Sequence, residues 1–252
     1  KINTIDKNLD NFDTLKNDKI NLINVNYDFK NSFEKISNKS NRYIAKSFEI
    51  ALNLLKNNKS LRLINGPISK KHFLKKKSFG ITEFLAKKTA NDNVAMLIYN
   101  KKLSVSPITT HIPLKEVHMH LTRKKIFQHV LLINEFYKKK FKKKPKIAIT
   151  GLNPHCESNY KSSEEDKIII PAIKDLLKEK YEVSGPFPAD TIFMKENYKK
   201  YDVIIGMYHD QVLTPLKSLF GFNAINITLG LPFIRISPDH GPNYSMIGKN
   251  SS

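Results

Sequence analysis

Cysteine is almost missing from this chain: Cys156 is the only one in 252 residues. No internal disulfide can staple the fold, a small secreted disulfide scaffold is excluded, and a reducing, cytoplasmic compartment is the default expectation. Long apolar runs are also missing. None approaches the roughly 20 residues that a membrane-spanning helix needs, and the N-terminus, rich in Lys, Asn and Asp, carries no signal-like apolar stretch, so a membrane location is not expected. Repeats and low-complexity linkers are absent. No G-x-G-x-x-G follows a strand-like run, which removes the Rossmann fingerprint, and no serine sits in a G-x-S-x-G elbow, which leaves Asp239 and His240 without a partner for hydrolytic chemistry.

Acidic residues are scarce relative to basic ones, 23 Asp and Glu against 43 Lys and Arg, for a net charge of +20. Charge of this size suggests nucleic acid in principle. Its distribution argues for solvated faces instead: Lys138 to Lys140 with Lys142 to Lys144, and Lys75 to Lys77, fall at apparent helix ends, where cations complement the helix dipole. No zinc-finger spacing and no aromatic-interleaved RNA motif accompanies them, so no nucleic-acid partner is expected. The positive field still favours a phosphorylated small molecule.

Hydrophobic residues make up 40% of the chain, enough for a sizeable core. Short β-rich runs alternate with amphipathic stretches, the pattern of an α/β protein with a parallel or mixed sheet. Ile20 to Tyr27 reads as a strand. Ile44, Phe48, Ala51 and Leu55 mark one face of a helix that starts after Ser40 or Asn41. The strand Leu61 to Ile64 ends in Gly66-Pro67, and Ser69 is placed to start a helix. Val94 to Tyr99 and Leu103 to Thr110 read as a hairpin joined by Asn100-Lys101-Lys102. A helix over Lys124 to Lys140 leads through Pro145 into a strand over Lys146 to Thr150, and a second helix spans Glu164 to Lys180. The last third reads as strand and loop, with apolar runs at Val203 to Met207, Ala224 to Leu229 and Phe233 to Ile236.

Three histidines stand just beyond predicted strands, where α/β folds collect function: His111, His155 and His209. Three neutral imidazoles around an open position suit Zn²⁺ or a related divalent ion. Spacing alone does not show that they converge, and each taken singly has a satisfied loop or core role as its ordinary reading.

The surrounding strings carry a family likeness. Asn65-Gly66-Pro67-Ile68-Ser69-Lys70, Thr109-Thr110-His111-Ile112-Pro113-Leu114-Lys115, Gly151-Leu152-Asn153-Pro154-His155 and Gly185-Pro186-Phe187-Pro188-Ala189-Asp190-Thr191 resemble 4-hydroxythreonine-4-phosphate dehydrogenase. Met207-Tyr208-His209-Asp210-Gln211, the run from Asn226 to Arg235, and Asp239-His240-Gly241 follow in the same order. Together they extend from about residue 61 to 249, far more specific than a single glycine motif.

The resemblance implies a two-lobed α/β fold with a mixed sheet, like that of isocitrate and isopropylmalate dehydrogenases. One two-lobed catalytic unit would span 1–252, as part of a longer chain at both ends. The family is usually homodimeric, with the active site at the cleft and subunit interface. Its reaction is oxidation of 4-phosphooxy-L-threonine by NAD or NADP in pyridoxal phosphate biosynthesis, then decarboxylation to 3-amino-2-oxopropyl phosphate. Carried over by motif, His111, His155 and His209 are the metal ligands, with Zn first and Mg or Co as alternatives. Thr82, Lys217, Asn226 and Arg235 match substrate-binding positions. Lys217 and Asp210 are the catalytic candidates, and Asp239 and His240 are placed near the cofactor. Asp210 either orients the neighbouring histidine or moves a proton, or is a capping residue; Asp190 orients a ligand or begins a helix; Cys156 is a fourth ligand or an inert thiol.

The departures bear on substrate. Ile81 stands where the family has histidine beside Thr82, and Val212 replaces a glycine after His209-Asp210-Gln211, which is expected to narrow the loop. Pro242-Asn243 replaces small residues. Two alternatives therefore stay open: a dehydrogenase of 4-phosphoerythronate or phosphothreonate, or a metal-binding paralogue without catalysis.

Overall fold

A computed structural model describes residues 1–7, 12–31, 34–74, 80–156 and 162–243. The lysine run at Lys75 to Lys77 lies outside the described residues. The chain begins with β1 (Ile2–Thr4) and β2 (Ile20–Leu22), which pair in parallel as a two-stranded piece of their own. Then follow α1 (Asn41–Asn57), β3 (Arg62–Ile64), α2 (Lys70–Phe73), α3 (Ile81–Lys88), β4 (Ala95–Tyr99), β5 (Ser104–Thr109), α4 (Arg123–Phe141) and β6 (Ile147–Thr150). The remainder comprises α5 (Ile170–Lys178), β7 (Val183–Phe187), α6 (Ala189–Ile192), α7 (Lys195–Tyr198), β8 (Val203–Tyr208), α8 (His209–Phe220), β9 (Ile225–Leu229) and β10 (Ile234–Pro238).

Eight strands form one mixed sheet in the order β3-β10-β9-β4-β5-β8-β6-β7. β4 and β5 form the expected antiparallel hairpin, with Ile98 opposite Val105, whereas β5, β8, β6 and β7 run parallel. Side chains alternate between the two faces, as strand geometry requires. Ile147, Ile149, Val203, Ile205 and Met207 join one core under α4 and α5, while Ala148 and Ile204 join a second under α8. Both faces of the central strands are therefore covered, which explains their nearly unbroken apolar sequences. A third cluster gathers Phe48 and Leu55 of α1 with Leu63, Leu74, Ile81 and Leu85 at the β3 end of the sheet.

The helix expectations hold where caps and periodicity agree. Ser40 precedes α1, and Thr122 caps α4 by accepting from the Lys125 amide. Ile126, Val130, Ile133 and Tyr137 of α4 then bury one face at spacings of four, three and four, with Lys138 to Lys140 in its last turn. The stretch read as one helix from Glu164 opens as a single π-type turn, Glu165–Ile169, before α5.

Two expectations need correction, and one strand was not anticipated. The strand predicted over Ile20 to Tyr27 stops at Leu22, because only its first three residues find a partner strand. The last third is not only strand and loop. α8 follows β8 directly and buries Gln211, Val212, Leu213 and Leu216, and its internal Pro215 masks it by reading as a helix breaker. β7 was hidden by Gly185-Pro186, which a strand tolerates at the sheet edge, where β7 lies.

Candidate active site

Because β5, β8 and β6 are parallel neighbours, their C-terminal ends share one edge of the sheet. His111 follows β5, His209 opens α8 immediately after β8, and His155 lies in the turn Pro154–Cys156 after β6. Topology thus brings the three histidine-bearing segments to one edge, as α/β folds do with functional loops.

His111 and His209 stand together, their ring centroids 5.7 Å apart. Both line a cleft whose wall also holds Thr82, Ile81, Asn226 and Arg235, with Asp239 and His240 at the same opening. His155 is not among the lining residues, and among the described residues no three His, Cys, Asp or Glu side chains are close enough to hold a metal. The described residues therefore do not gather the expected trio into one cluster. Its physical reason lies in the β6 loop. Glu165, almost fully buried, accepts from the Leu152 and Asn153 amides at 2.7 and 2.8 Å and from the Asn153 side chain at 2.8 Å. Burial pushes this carboxyl up, and those donors outweigh burial and hold it below the ordinary glutamate value. They fix the loop independently of the other two histidines.

His209 Nδ1 lies 2.6 Å from Asp210 Oδ1, although the Asp210 side chain is 79% exposed. Lys70 Nζ lies 2.7 Å from His111 Nε2. An ammonium can only donate, so Nε2 is the acceptor and the His111 proton sits on Nδ1, which faces Glu83 Oε1 at 3.8 Å. Asp210 thus holds the His209 ring through Nδ1, as a carboxylate partner orients a metal-binding histidine, whereas His111 Nδ1 only faces Glu83 and its Nε2 meets Lys70. Glu83 Oε1 also accepts from Thr110 Oγ1 at 2.8 Å. Burial raises the Glu83 carboxyl, yet contacts with His111, its own amide and Thr110 hold it below the ordinary value.

Gly80 makes this packing possible. A Cβ there would sit 2.5 Å from Glu83 Oε2 and 2.9 Å from the His111 ring. The Gly80 backbone is extended (φ −157°), so the requirement is space and not conformation. We expect Gly80→Ala to displace His111 and weaken divalent-cation binding about tenfold, with unchanged circular dichroism; calorimetric titration of Co²⁺ checks it, and unaltered affinity would count against His111 as a ligand.

Arg235 is the buried cation of the cleft, 3% exposed. Its Nε donates to Asn65 Oδ1 at 2.8 Å and one terminal nitrogen to Thr228 Oγ1 at 3.2 Å, while Thr228 Oγ1 lies 3.3 Å from Thr82 Oγ1. Burial lowers its pKa to about 10, still well above neutral pH, with Glu83 opposing the shift. Lys70 is likewise lowered by burial. Among the described residues neither Arg235 nor Lys70 forms a salt bridge with a carboxylate, whereas Lys217 is paired with Asp239 Oδ2 at 2.8 Å and lies over the Phe222 ring at 4.8 Å. Asn226 Oδ1, Asp239 Oδ1, Glu83 Oε2 and His111 Nδ1 are buried without hydrogen-bond partners. Unneutralised cations and unused polar atoms in one cleft fit a ligand that carries both anionic and donor groups.

Several sequence readings are now placed. Ile81 lines the cleft, as its motif position implied. Val212 is fully buried on α8 and packs towards Gly206, so it does not narrow the site. Asp190 sits in the first turn of α6. Lys217 reaches the cleft only through Asp239. Lys70, Glu83 and Asn65 were not singled out from the sequence, although Asn65 and Lys70 lie inside one of the quoted family strings.

With this geometry in place, comparison with known proteins is decisive. The model of the family "Pyridoxal phosphate biosynthetic protein PdxA" matches residues 1–252. The chain belongs to this family. A 4-hydroxythreonine-4-phosphate dehydrogenase of Sulfurihydrogenibium sp. is 44% identical over 92% of this chain and 71% of its own length. That of Aquifex aeolicus is 43% identical over 75% of this chain, which spans only 60% of that relative. Among solved structures, the Klebsiella pneumoniae 4-hydroxythreonine-4-phosphate dehydrogenase superposes with a TM-score of 0.78 at 30% identity, covering 100% of this chain and 78% of that one. A terephthalate 1,2-cis-dihydrodiol dehydrogenase from Burkholderia xenovorans, 19% identical with a TM-score of 0.64, shares the fold alone. The expected mixed-sheet α/β fold, of the isocitrate and isopropylmalate dehydrogenase kind, is therefore that of this PdxA family chain. Among its described residues no helix is long and apolar enough to cross a membrane.

Proposed function

We propose that this PdxA family chain forms the site at which 4-phosphooxy-L-threonine is oxidised with NAD or NADP and then decarboxylated to 3-amino-2-oxopropyl phosphate. One observation carries the reading: a single cleft joins two neighbouring imidazoles to two cations that, among the described residues, lack carboxylate partners. His111 and His209 fit a divalent cation, Zn²⁺ first and Mg²⁺ or Co²⁺ as alternatives, by their donor chemistry and, for His209, by its Nδ1 partner. Such a cation supplies Lewis acidity towards the substrate's oxygens, and a nicotinamide cofactor supplies the hydride acceptor.

The chain's own groups do the rest. Arg235, rigidly held by Asn65 and Thr228, offers a planar fork to a carboxylate or phosphate. Lys70 adds a point charge on the same wall. Thr82 and Asn226 offer hydroxyl and amide groups to the substrate's polar face, and Asp210 keeps His209 in one tautomer. Lys217 pairs with the buried carboxylate of Asp239, near which the cofactor is read to bind, with His240 beside them. A homodimer, each copy a two-lobed unit, with the site at the subunit interface, accommodates the separation of His155, because a site built between copies need not gather all three ligands from one. A cytoplasmic location follows from the biosynthetic role.

A second reading has its own observation. Ile81, apolar and on the cleft wall, removes a polar contact where the substrate would sit, which favours 4-phosphoerythronate or phosphothreonate as the acid oxidised. The test is nicotinamide reduction, followed by absorbance, by Zn²⁺-reconstituted protein given each of the three acids, with His209→Ala as control. Turnover with 4-phosphooxy-L-threonine that falls at least about a thousandfold in the variant supports the reading. Turnover only with an acid that lacks the amino group assigns the second. No turnover with any acid, in a metal-loaded full-length dimer, means a metal-binding paralogue without catalysis.

A further inference from the structure

Among the described residues, Lys70 is the one polar group in direct contact with His111 Nε2, the nitrogen that a cation would use. Its Nζ lies 2.7 Å from His111 Nε2, while His111 Nδ1 faces Glu83. One lone pair cannot serve an ammonium and a divalent cation together. We propose that Lys70 is a tethered competitor for the divalent cation at His111, drawn off the ring by an anionic group of the substrate, so that cation and anion binding are positively coupled.

Three features support this, resting on the metal reading above. Lys70 opens the one-turn helix α2 and is exposed as a residue, while its amine is partly withdrawn from water where it lines the cleft. Arg235 lies close enough for its charge to act unfavourably on Lys70, and neither is salt-bridged among the described residues. An anion set between the two relieves that repulsion and offers Lys70 a better partner than neutral imidazole. Because coupling is reciprocal, the cation must then raise the affinity for the anion by the same factor.

The experiment is calorimetric titration of Co²⁺ into the full chain and its Lys70→Met variant, with and without sulfate as the anion. Lys125→Met serves as a control. It removes a charge that also acts on Glu83, from α4, without touching His111. The expected result is that Lys70→Met binds Co²⁺ about tenfold tighter or more, while Lys125→Met stays within about threefold of the parent; sulfate tightens Co²⁺ binding by the parent and not by Lys70→Met. Equal Co²⁺ affinities of parent and Lys70→Met, with binding abolished by His209→Ala, would overturn the competition and leave the metal site standing. No Co²⁺ binding by any form would remove both the competition and the metal reading.

Discussion

With the proposed phosphorylated substrate, Arg235→Met is expected to lower kcat/KM by a factor on the order of a thousand, and Arg235→Lys to recover little of it. The side chain is 3% exposed and its charge survives burial, because a pKa of about 10 leaves it protonated at neutral pH. Truncating a buried, hydrogen-bonded charge that meets an opposite charge costs about 2–5 kcal/mol. At about 1.4 kcal/mol per factor of ten, that spans roughly thirty- to several-thousand-fold. Lysine keeps the charge but loses the fork that reaches Asn65, Thr228 and a ligand together. Steady-state kinetics over a substrate series, with circular dichroism to verify folding, measures the loss. A change below threefold would remove Arg235 from the substrate site.

The second large effect is on stability. His129 of α4 is 5% exposed, with Nδ1 3.1 Å from the Lys125 carbonyl, to which it donates. Burial, then the charge of Lys125, pushes its pKa down to about 4, against the pull of the Lys125 and Pro107 carbonyls towards the charged form. The folded chain therefore keeps this imidazole neutral while the unfolded chain protonates it near 6.5. Between those two values the unfolded state binds more protons, so stability is intact above about pH 6.5 and is lost as pH falls towards 4. The shift corresponds to roughly 3 kcal/mol. Denaturant titrations at pH 7 and pH 4.5 should show the parent losing most of that amount beyond what His129→Gln loses. Parallel losses in the two proteins would mean that His129 is not the group responsible.

What could be read in advance follows from how local the governing physics is. Periodicity and caps located α1 and α4, because Phe48 and Leu55, or Ile126, Val130 and Ile133, must share a face on any helix that contains them. The β4–β5 hairpin was legible for the same reason. β7 and α8 were not, since Gly185-Pro186 and Pro215 oppose the local rule and are tolerated only by their positions at a sheet edge and in a packed helix.

The site divides in the same way. Residue types along the chain determined that imidazoles follow strands, that Arg235 and Lys217 are available cations, and that the ordered strings match one dehydrogenase family. Only the tertiary structure decided which of them meet. Strand order set His111 beside His209, and a loop pinned by Glu165 kept His155 outside their cleft. Folding alone joined Lys70 to a histidine 41 positions away and Arg235 to Asn65 across 170, because contacts over such separations depend on how the sheet is assembled and leave no periodic trace in the sequence.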